Sequence, residues 1–269
     1  MTGGDSGGTA PAAGVLSLAG RRVLVTGGSR GIGAACGRLF ARAGAAVALS
    51  CRSRRDEAEA VAAELAQING EDHLVHAGDL STEAGVESLF AHVREAWGGL
   101  DCLVNNAGIW VENRLAGFDV ALYEETMRVN VTGPFLCMRA ALPLLAASAE
   151  AGRDPSVVNV TSTAGQRGEA DYSPYAASKG AMISATKAWS SELAPGIRVN
   201  SVAPGWVDTE MCEEPFADGG LAEIAASIPL GRVASPEDVA GGVVFLASPL
   251  ARQVTGEILN VNGGAVLVG

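Results

Sequence analysis

Three side chains in the middle of the chain have the types and spacing for acid–base chemistry. Tyr175 and Lys179 stand four residues apart in Tyr175-Ala176-Ala177-Ser178-Lys179, and Ser162 lies thirteen residues upstream of Tyr175. Residues i and i+4 share one face of a helix, so a phenol and an ammonium can point into one cleft if this stretch is helical. A phenol titrates near pH ~10 in water and is a poor proton shuttle at neutrality. A cation about 4 Å away is worth roughly 4 kcal/mol at an effective dielectric of ~20, or about three pKa units. Lys179 is therefore expected to bring Tyr175 toward the working range of a general acid or base. Tyr-x-x-x-Lys by itself recurs by chance, so its weight comes from the elements around it.

Those elements alternate. Short β-rich runs at 21–26, 46–50, 73–76, 101–104, 157–161, 198–203 and 258–261 are separated by helical stretches at 31–43, 54–69, 82–97, 118–149, 174–193 and 236–247. Gly44 and Gly70 stop the first two helices, and Gly133-Pro134 predicts a bend within 118–149. The Tyr175/Lys179 pair falls at the start of the helix after the fifth strand. Alternation at this spacing predicts an α/β fold: a doubly wound parallel sheet of about seven strands with helices on both faces. Residues 1–18 read as a flexible leader without a basic start or an apolar core, and 19–269 as one domain. Residues 211–227, with Glu213-Glu214-Pro215 and Gly219-Gly220, predict a helical insertion that hinges as a lid.

Bulk properties exclude several function classes. Across 269 residues, apolar types make up 48% and charged types 18%, which describes a globular chain able to bury a large core. A net charge of −11 argues against nucleic-acid partners and against attraction to an anionic membrane or an acidic carrier protein. No run of apolar residues approaches 18, so no membrane span is expected. Cys36, Cys51, Cys102, Cys137 and Cys212 are scattered and odd in number, which predicts reduced, mostly buried thiols and a cytoplasmic location. His73, His76 and His92 form no metal constellation; they are expected to be structural, and no metal site is expected.

Thr26-Gly27-Gly28-Ser29-Arg30-Gly31-Ile32-Gly33 follows the first predicted strand and opens the first helix. Glycines there let the backbone approach a pyrophosphate, and the helix N-terminus offers amide donors. A dinucleotide fold of this kind usually carries an acidic residue after the second strand for the ribose 2′-hydroxyl. Here that place reads Leu49-Ser50-Cys51-Arg52-Ser53-Arg54, with no carboxylate. Arg52 and Arg30 can instead meet a 2′-phosphate, so NADPH is expected in preference to NADH.

With these motifs in order, residues 20–268 resemble a classical short-chain dehydrogenase/reductase with a single-domain, Rossmann-like fold. The resemblance rests on the glycine loop, on Asp79-Leu80 after strand three and on Asn105-Asn106-Ala107-Gly108 after strand four. It also rests on Asn130, Ser162, Tyr175 and Lys179, and on Pro204-Gly205-Trp206-Val207-Asp208-Thr209. It implies a catalytic tetrad of Asn130, Ser162, Tyr175 and Lys179. Tyr175 would exchange a proton with the carbonyl oxygen, Ser162 would hydrogen-bond that oxygen, Lys179 would tune the phenol and hold the nicotinamide ribose, and Asn130 would support a water chain. It implies cofactor contacts from Gly27, Ser29, Arg30, Gly31, Ile32, Gly33, Arg52, Asp79, Leu80, Asn106, Ala107, Gly108, Tyr175, Lys179, Pro204, Gly205, Val207 and Thr209. A homotetramer with paired long helices is also implied.

Ile228-Pro229-Leu230-Gly231-Arg232, Ser235-Pro236-Glu237-Asp238 and Val254-Thr255-Gly256-Glu257 are similar to the 3-oxoacyl-acyl-carrier-protein reductase branch. That branch reduces β-keto thioesters with NADPH; dehydrogenases oxidising secondary alcohols and non-catalytic NADP-binding regulators share the fold. Carrier reductases present basic residues before strand five and at the end of the Tyr/Lys helix, where this chain offers only Arg153. A carrier partner is therefore doubtful; the expected activity is NADPH-dependent reduction of a small-molecule carbonyl, by a 3-oxoacyl-thioester-type reductase or a related secondary-metabolite tailoring ketoreductase. Its pocket is expected from Trp110, Ser162, Gln166, Tyr172, Trp206 and Met211. Arg167, Glu169 and Asp171 fit either a solvated loop rim or a pocket for a polar or cyclic substrate.

Overall fold

Side chains alternate strictly along the strands, and that alternation sets the layers. The computed structural model describes residues 16–267; most of the expected leader (1–18) lies outside them. Val23 and Val25 of β1 (Arg22–Val25) join one buried cluster, while Leu24 between them joins the other. Val47 and Leu49 against Ala48 in β2 (Ala46–Cys51) and Cys102 and Val104 against Leu103 in β4 (Cys102–Asn105) repeat the pattern. With β3 (Leu74–Ala77), β5 (Ser156–Val160), β6 (Arg198–Pro204) and β7 (Ile258–Val261), they form a seven-stranded parallel sheet ordered β3-β2-β1-β4-β5-β6-β7.

Helices cover both faces, as a sheet buried on two sides requires. On one side lie α1 (Gly31–Arg42), α2 (Arg55–Asn69) and α10 (Pro236–Ala247), whose Phe40, Leu65 and Val243 fill the first cluster. On the other lie α3 (Glu83–Trp97), α5 (Gly133–Glu150) and α7 (Ser173–Glu192), contributing Phe90, Leu145 and Met182. Local chemistry fixes the ends. Thr82 caps α3 through Gly85 N–H, Gly70 and Gly98 close α2 and α3 with left-handed backbone, and Ser235 and Asp238 form a capping box on α10. His73 is structural: its Nδ1 accepts from Val47 N–H at 3.1 Å and its Nε2 meets Asn69 Oδ1 at 3.0 Å.

Three expectations need correction. The interruption in the long helical run is not a bend at Gly133-Pro134. It is a π-helical turn over Arg128–Thr132, after α4 (Val120–Met127), in which Gly133 N–H reaches back to Arg128 C=O. Pro134 follows this turn directly, in the first turn of α5. Second, the continuous run Val120–Glu150 does have the length and hydropathy to cross a bilayer. Its apolar side is taken by the sheet, with Cys137, Met138, Ala141 and Leu145 buried. Third, 211–227 is not one hinged helix. A 3₁₀ turn (Glu210–Cys212), α8 (Glu213–Phe216), a second 3₁₀ turn (Ala217–Gly219) and α9 (Gly220–Ser227) follow each other. A Cβ on Gly220 would lie 2.0 Å from Pro215 O, so Gly219-Gly220 makes a tight corner.

Candidate active site

The strand order reverses between β1 and β4, and a crevice opens there beyond the carboxyl ends of the strands, where ligands bind in doubly wound sheets. Hydrogen bonds lace the two loops that form its floor. Thr26 Oγ1 accepts from the N–H groups of Asn106 and Ala107, each at 3.0 Å. Asn106 Nδ2 donates to Thr26 O at 2.8 Å and to Gly27 O at 3.1 Å. The glycines are needed for close approach: a Cβ on Gly33 would fall 2.1 Å from Gly27 O, and one on Gly28 2.7 Å from Leu49 Cδ2. Gly27 also has φ +67°, a left-handed backbone that favours glycine. No side chain caps α1, so its first amides are available to an anion.

From this floor extends a cleft of about 870 Å³, within the range of small-molecule and cofactor sites. Ser50 lines it near the end of β2, and its buried Oγ has no hydrogen-bond partner among the described residues. A glycine cradle, uncapped amides and an orphaned hydroxyl fit a dinucleotide cofactor. Of the residues expected to hold one, only Gly33 does not line the cleft; it lies beneath the loop and lets α1 approach.

The arginines are already engaged. Arg30 pairs with Glu210 from the segment after β6, and Arg54 reaches Glu57 at 3.0 Å and Glu210 at 3.3 Å. Arg52 is the most exposed of the three, with Glu125 at 3.7 Å and Asp79 at 3.9 Å. Hydrogen bonding by Ser81 holds Asp79 below the usual carboxylate range, helped by Arg52 and Arg128. Arg54 and Glu210 were missed from sequence because their pairing joins elements more than 150 positions apart.

At the other end of the cleft stand Ser162, Tyr175 and Lys179. Ser162 Oγ accepts from Ala164 N–H at 3.0 Å, which leaves its own proton to donate. Lys179 donates to Val160 O at 2.9 Å, and its Nζ lies 5.8 Å from the centre of the Tyr175 ring. The expected lowering of the phenol by this lysine is not found. Burial pushes Tyr175 up to about 12, opposed by Ser162 and reinforced by Glu169 and Cys212. Burial also draws Lys179 down to about 8. Tyr175 keeps some exposure through the cleft, yet protein surrounds it closely enough for desolvation to dominate.

Asn130 is buried behind the cleft rather than lining it. The π-helical turn aims its side chain at the strand-four loop: Oδ1 accepts from Ile109 N–H at 2.8 Å, and Nδ2 donates to Ile109 O at 2.9 Å and Ser178 Oγ at 3.0 Å. A Cβ on Gly108 would lie 3.2 Å from Asn130 Oδ1 and 3.4 Å from Lys179 Nζ, so Asn130 and Lys179 both stand close to Gly108.

The expected substrate residues divide. Trp110, Trp206, Ser162 and Met211 line the cleft. Tyr172 does not; it stacks behind Trp110 with ring centres 4.3 Å apart and 8° between planes. Gln166 does not either, because its Nε2 donates to Asn260 Oδ1 at 2.8 Å beneath the loop. Trp206 meets Trp110 edge-on at 6.0 Å and Phe216 at 5.9 Å, so α8 is tied to the aromatic wall. Glu169 faces the cleft, unlike a solvated rim. Arg153 turns inward to the buried Asp101, Nε to Oδ1 at 2.5 Å and Nη2 to Oδ2 at 2.7 Å, and also donates to Gly20 O. Among the described residues no group of side chains could hold a metal ion.

Comparison with known proteins agrees with this architecture. Residues 27–266 match a family model described as enoyl-(acyl carrier protein) reductase. The 3-oxoacyl-[acyl-carrier-protein] reductase FabG of Aquifex aeolicus is 37% identical over 93% of this chain and 98% of its own. The L-rhamnose 1-dehydrogenase (NAD(P)(+)) of Azotobacter vinelandii is also 37% identical, over 93% and 98%. A solved 3-ketoacyl-(acyl-carrier-protein) reductase from Brucella melitensis, complexed with NADH, superimposes with a TM-score of 0.86 at 34% identity, covering 93% of this chain and 100% of its own. The chain thus belongs to the short-chain dehydrogenase/reductase family of oxidoreductases acting on carbonyl and alcohol groups.

Proposed function

We propose that this protein is an NADPH-dependent ketoreductase in which Tyr175 is the general acid and the substrate is a free carbonyl compound rather than a carrier-bound acyl chain. The observation that carries the reading is the meeting of Ser162, Tyr175 and Lys179 with the glycine cradle in one cleft. When bound, the nicotinamide supplies the hydride. Tyr175 gives its hydroxyl proton to the carbonyl oxygen, so that C=O becomes CH–OH, and Ser162 donates to the same oxygen as negative charge develops. A phenol held near 12 stays protonated at neutral pH, which suits an acid in the reductive direction. Lys179, drawn down to about 8 by burial, would hold the nicotinamide ribose, and Asn130 positions the loop on which Gly108 stands.

The preference for NADPH is supported by Arg52, whose ion-pair partners Glu125 and Asp79 stand at 3.7 and 3.9 Å, beyond hydrogen-bond distance, and by the lack of a carboxylate at 49–54. Arg30 must exchange Glu210 for a phosphate, so Arg52 is the more available ligand. Against a carrier protein stand the net charge of −11 and the inward commitment of Arg153. A second reading, oxidation of a secondary alcohol on a sugar, is favoured by the likeness to a rhamnose dehydrogenase. Reduced thiols buried at Cys36, Cys102 and Cys137 support a cytoplasmic location. Phe135, 45% exposed on α5 and packed edge-on against Trp189 of α7, supports pairing of these helices in a tetramer.

The test follows nicotinamide absorbance with purified protein, NADPH or NADH, and a panel of a β-keto thioester, a cyclic ketone and a keto-sugar. Consumption of NADPH on a free ketone, faster than NADH, is the expected result. Tight NADPH binding with no turnover of any carbonyl in either direction would make the protein a nucleotide sensor instead.

A further inference from the structure

The loop between Ser162 and Tyr175 carries one side chain that the reaction as described does not use. Gly168, at φ +79°, turns the chain, and Tyr172 N–H donates back to Glu169 O at 3.3 Å. This turn sends Glu169 inward: its side chain is 18% exposed, against 48% for Arg167 and 52% for Asp171. It lines the cleft with Ser162, Tyr175, Trp110 and Trp206. Its one cation, Arg167, stays at 3.7 Å, beyond hydrogen-bond distance, and no hydrogen bond reaches its carboxylate among the described residues.

We propose that Glu169 selects the substrate by accepting a hydrogen bond from a hydroxyl on the ketone, which tunes the cleft to a neutral, hydroxylated cyclic ketone. This rests on the ketoreductase reading above. A carboxylate removed from water without a donor is costly, and a ligand hydroxyl relieves that cost. Burial already raises Glu169 above the usual carboxylate range, with Arg167 opposing, and its charge is felt at Tyr175 and Cys212. The carboxylate thus shares one cleft with Ser162 and Tyr175. Arg167 supplies the compensating charge, so the unmet need is a neutral donor rather than a second cation. An anionic substrate meets like charge, and a plain acyl chain leaves the carboxylate unpaired. The two indoles, set at 89° to each other, add apolar ring surfaces against which a compact cyclic substrate can pack.

The experiment measures kcat/KM with NADPH for the hydroxycyclohexanones and for cyclohexanone, in wild type, Glu169→Gln and Glu169→Ala. The wild type is expected to favour the best hydroxylated ketone over cyclohexanone by roughly 10- to 100-fold, through KM, as one hydrogen bond to a charged group allows. That ratio is expected to fall in Glu169→Gln, whose amide oxygen still accepts but carries no charge, and to collapse to within a few-fold in Glu169→Ala. Each ratio is internal to one enzyme, so a loss of active protein does not move it, and the wild-type ratio decides even where a variant fails to fold. Equal wild-type efficiency on both ketones, or a ratio that survives Glu169→Ala, overturns this proposal alone. Failure to turn over any ketone overturns it together with the ketoreductase reading.

Discussion

The two ends of the cleft are built by different means. At the nucleotide end, backbone meets backbone: a Cβ on Gly33 would lie only 2.1 Å from Gly27 O, and Asn106 and Thr26 bind main-chain atoms across the switch point. At the substrate end, side chains make the walls: Trp110 on Tyr172, Trp206 on Phe216, Glu169 turned in by Gly168. A backbone cradle admits few sequences and one ligand shape. A wall of side chains changes with each substitution while the sheet behind it stays the same. Cofactor class therefore belongs to the first region, and substrate identity to the second.

Substitutions can break this division or sharpen it. The largest effect is expected from Lys179→Met, which touches both ends: kcat/KM falls by about 10²–10⁴-fold, and NADPH binding, followed by nucleotide fluorescence, weakens by about tenfold. Gly33→Val should abolish the rise in Tm that NADPH gives, because the overpacked loop costs about 1–3 kcal/mol and no longer closes on the phosphates. Trp206→Ala, by contrast, should keep that rise and change only KM; loss of nucleotide binding there would erase the distinction between the two ends. Arg52→Ala should weaken NADPH by about tenfold and leave NADH unchanged, read as two dissociation constants. An equal loss for both nucleotides would remove Arg52 from the 2′-phosphate.

The smallest effect lies away from the cleft, at Asp101. Burial alone would raise this carboxyl, but Arg153, Ser148 and the Arg22 N–H overcome it and hold it below the ordinary range. A group depressed in the folded state stabilises above its unfolded pKa, and that stability is lost as pH falls through the folded value. Wild type should therefore lose Tm in the acid range more steeply than Asp101→Asn, which starts a few degrees lower at neutral pH. Parallel melting curves down to acid pH would contradict the role of the Arg153–Asp101 pair.

Much of the frame was legible in the sequence because it follows from period and punctuation. Val23-Leu24-Val25 alternates between two cores, and Gly70 and Ser235 mark helix ends by their own chemistry. The π-helical turn was not legible, since nothing in residues 128–132 distinguishes an i→i+5 bond from an ordinary turn; contact with Ile109 decides it. Gln166 and Tyr172 were assigned to the pocket by proximity in sequence, yet Asn260 and Trp110 claim their side chains. Helical spacing brought Tyr175 and Lys179 to one cleft, but did not reveal the carbonyl of Val160 to which the ammonium donates. In each case the missing term is a partner distant in sequence.

The most direct test of Tyr175 as the general acid is a side-by-side comparison of wild type and Tyr175→Phe on one accepted ketone, with NADPH turnover and NADPH affinity both measured. Turnover reduced by at least about 10²-fold with affinity within a few-fold of wild type is the predicted result. Near-normal turnover in the variant would contradict it.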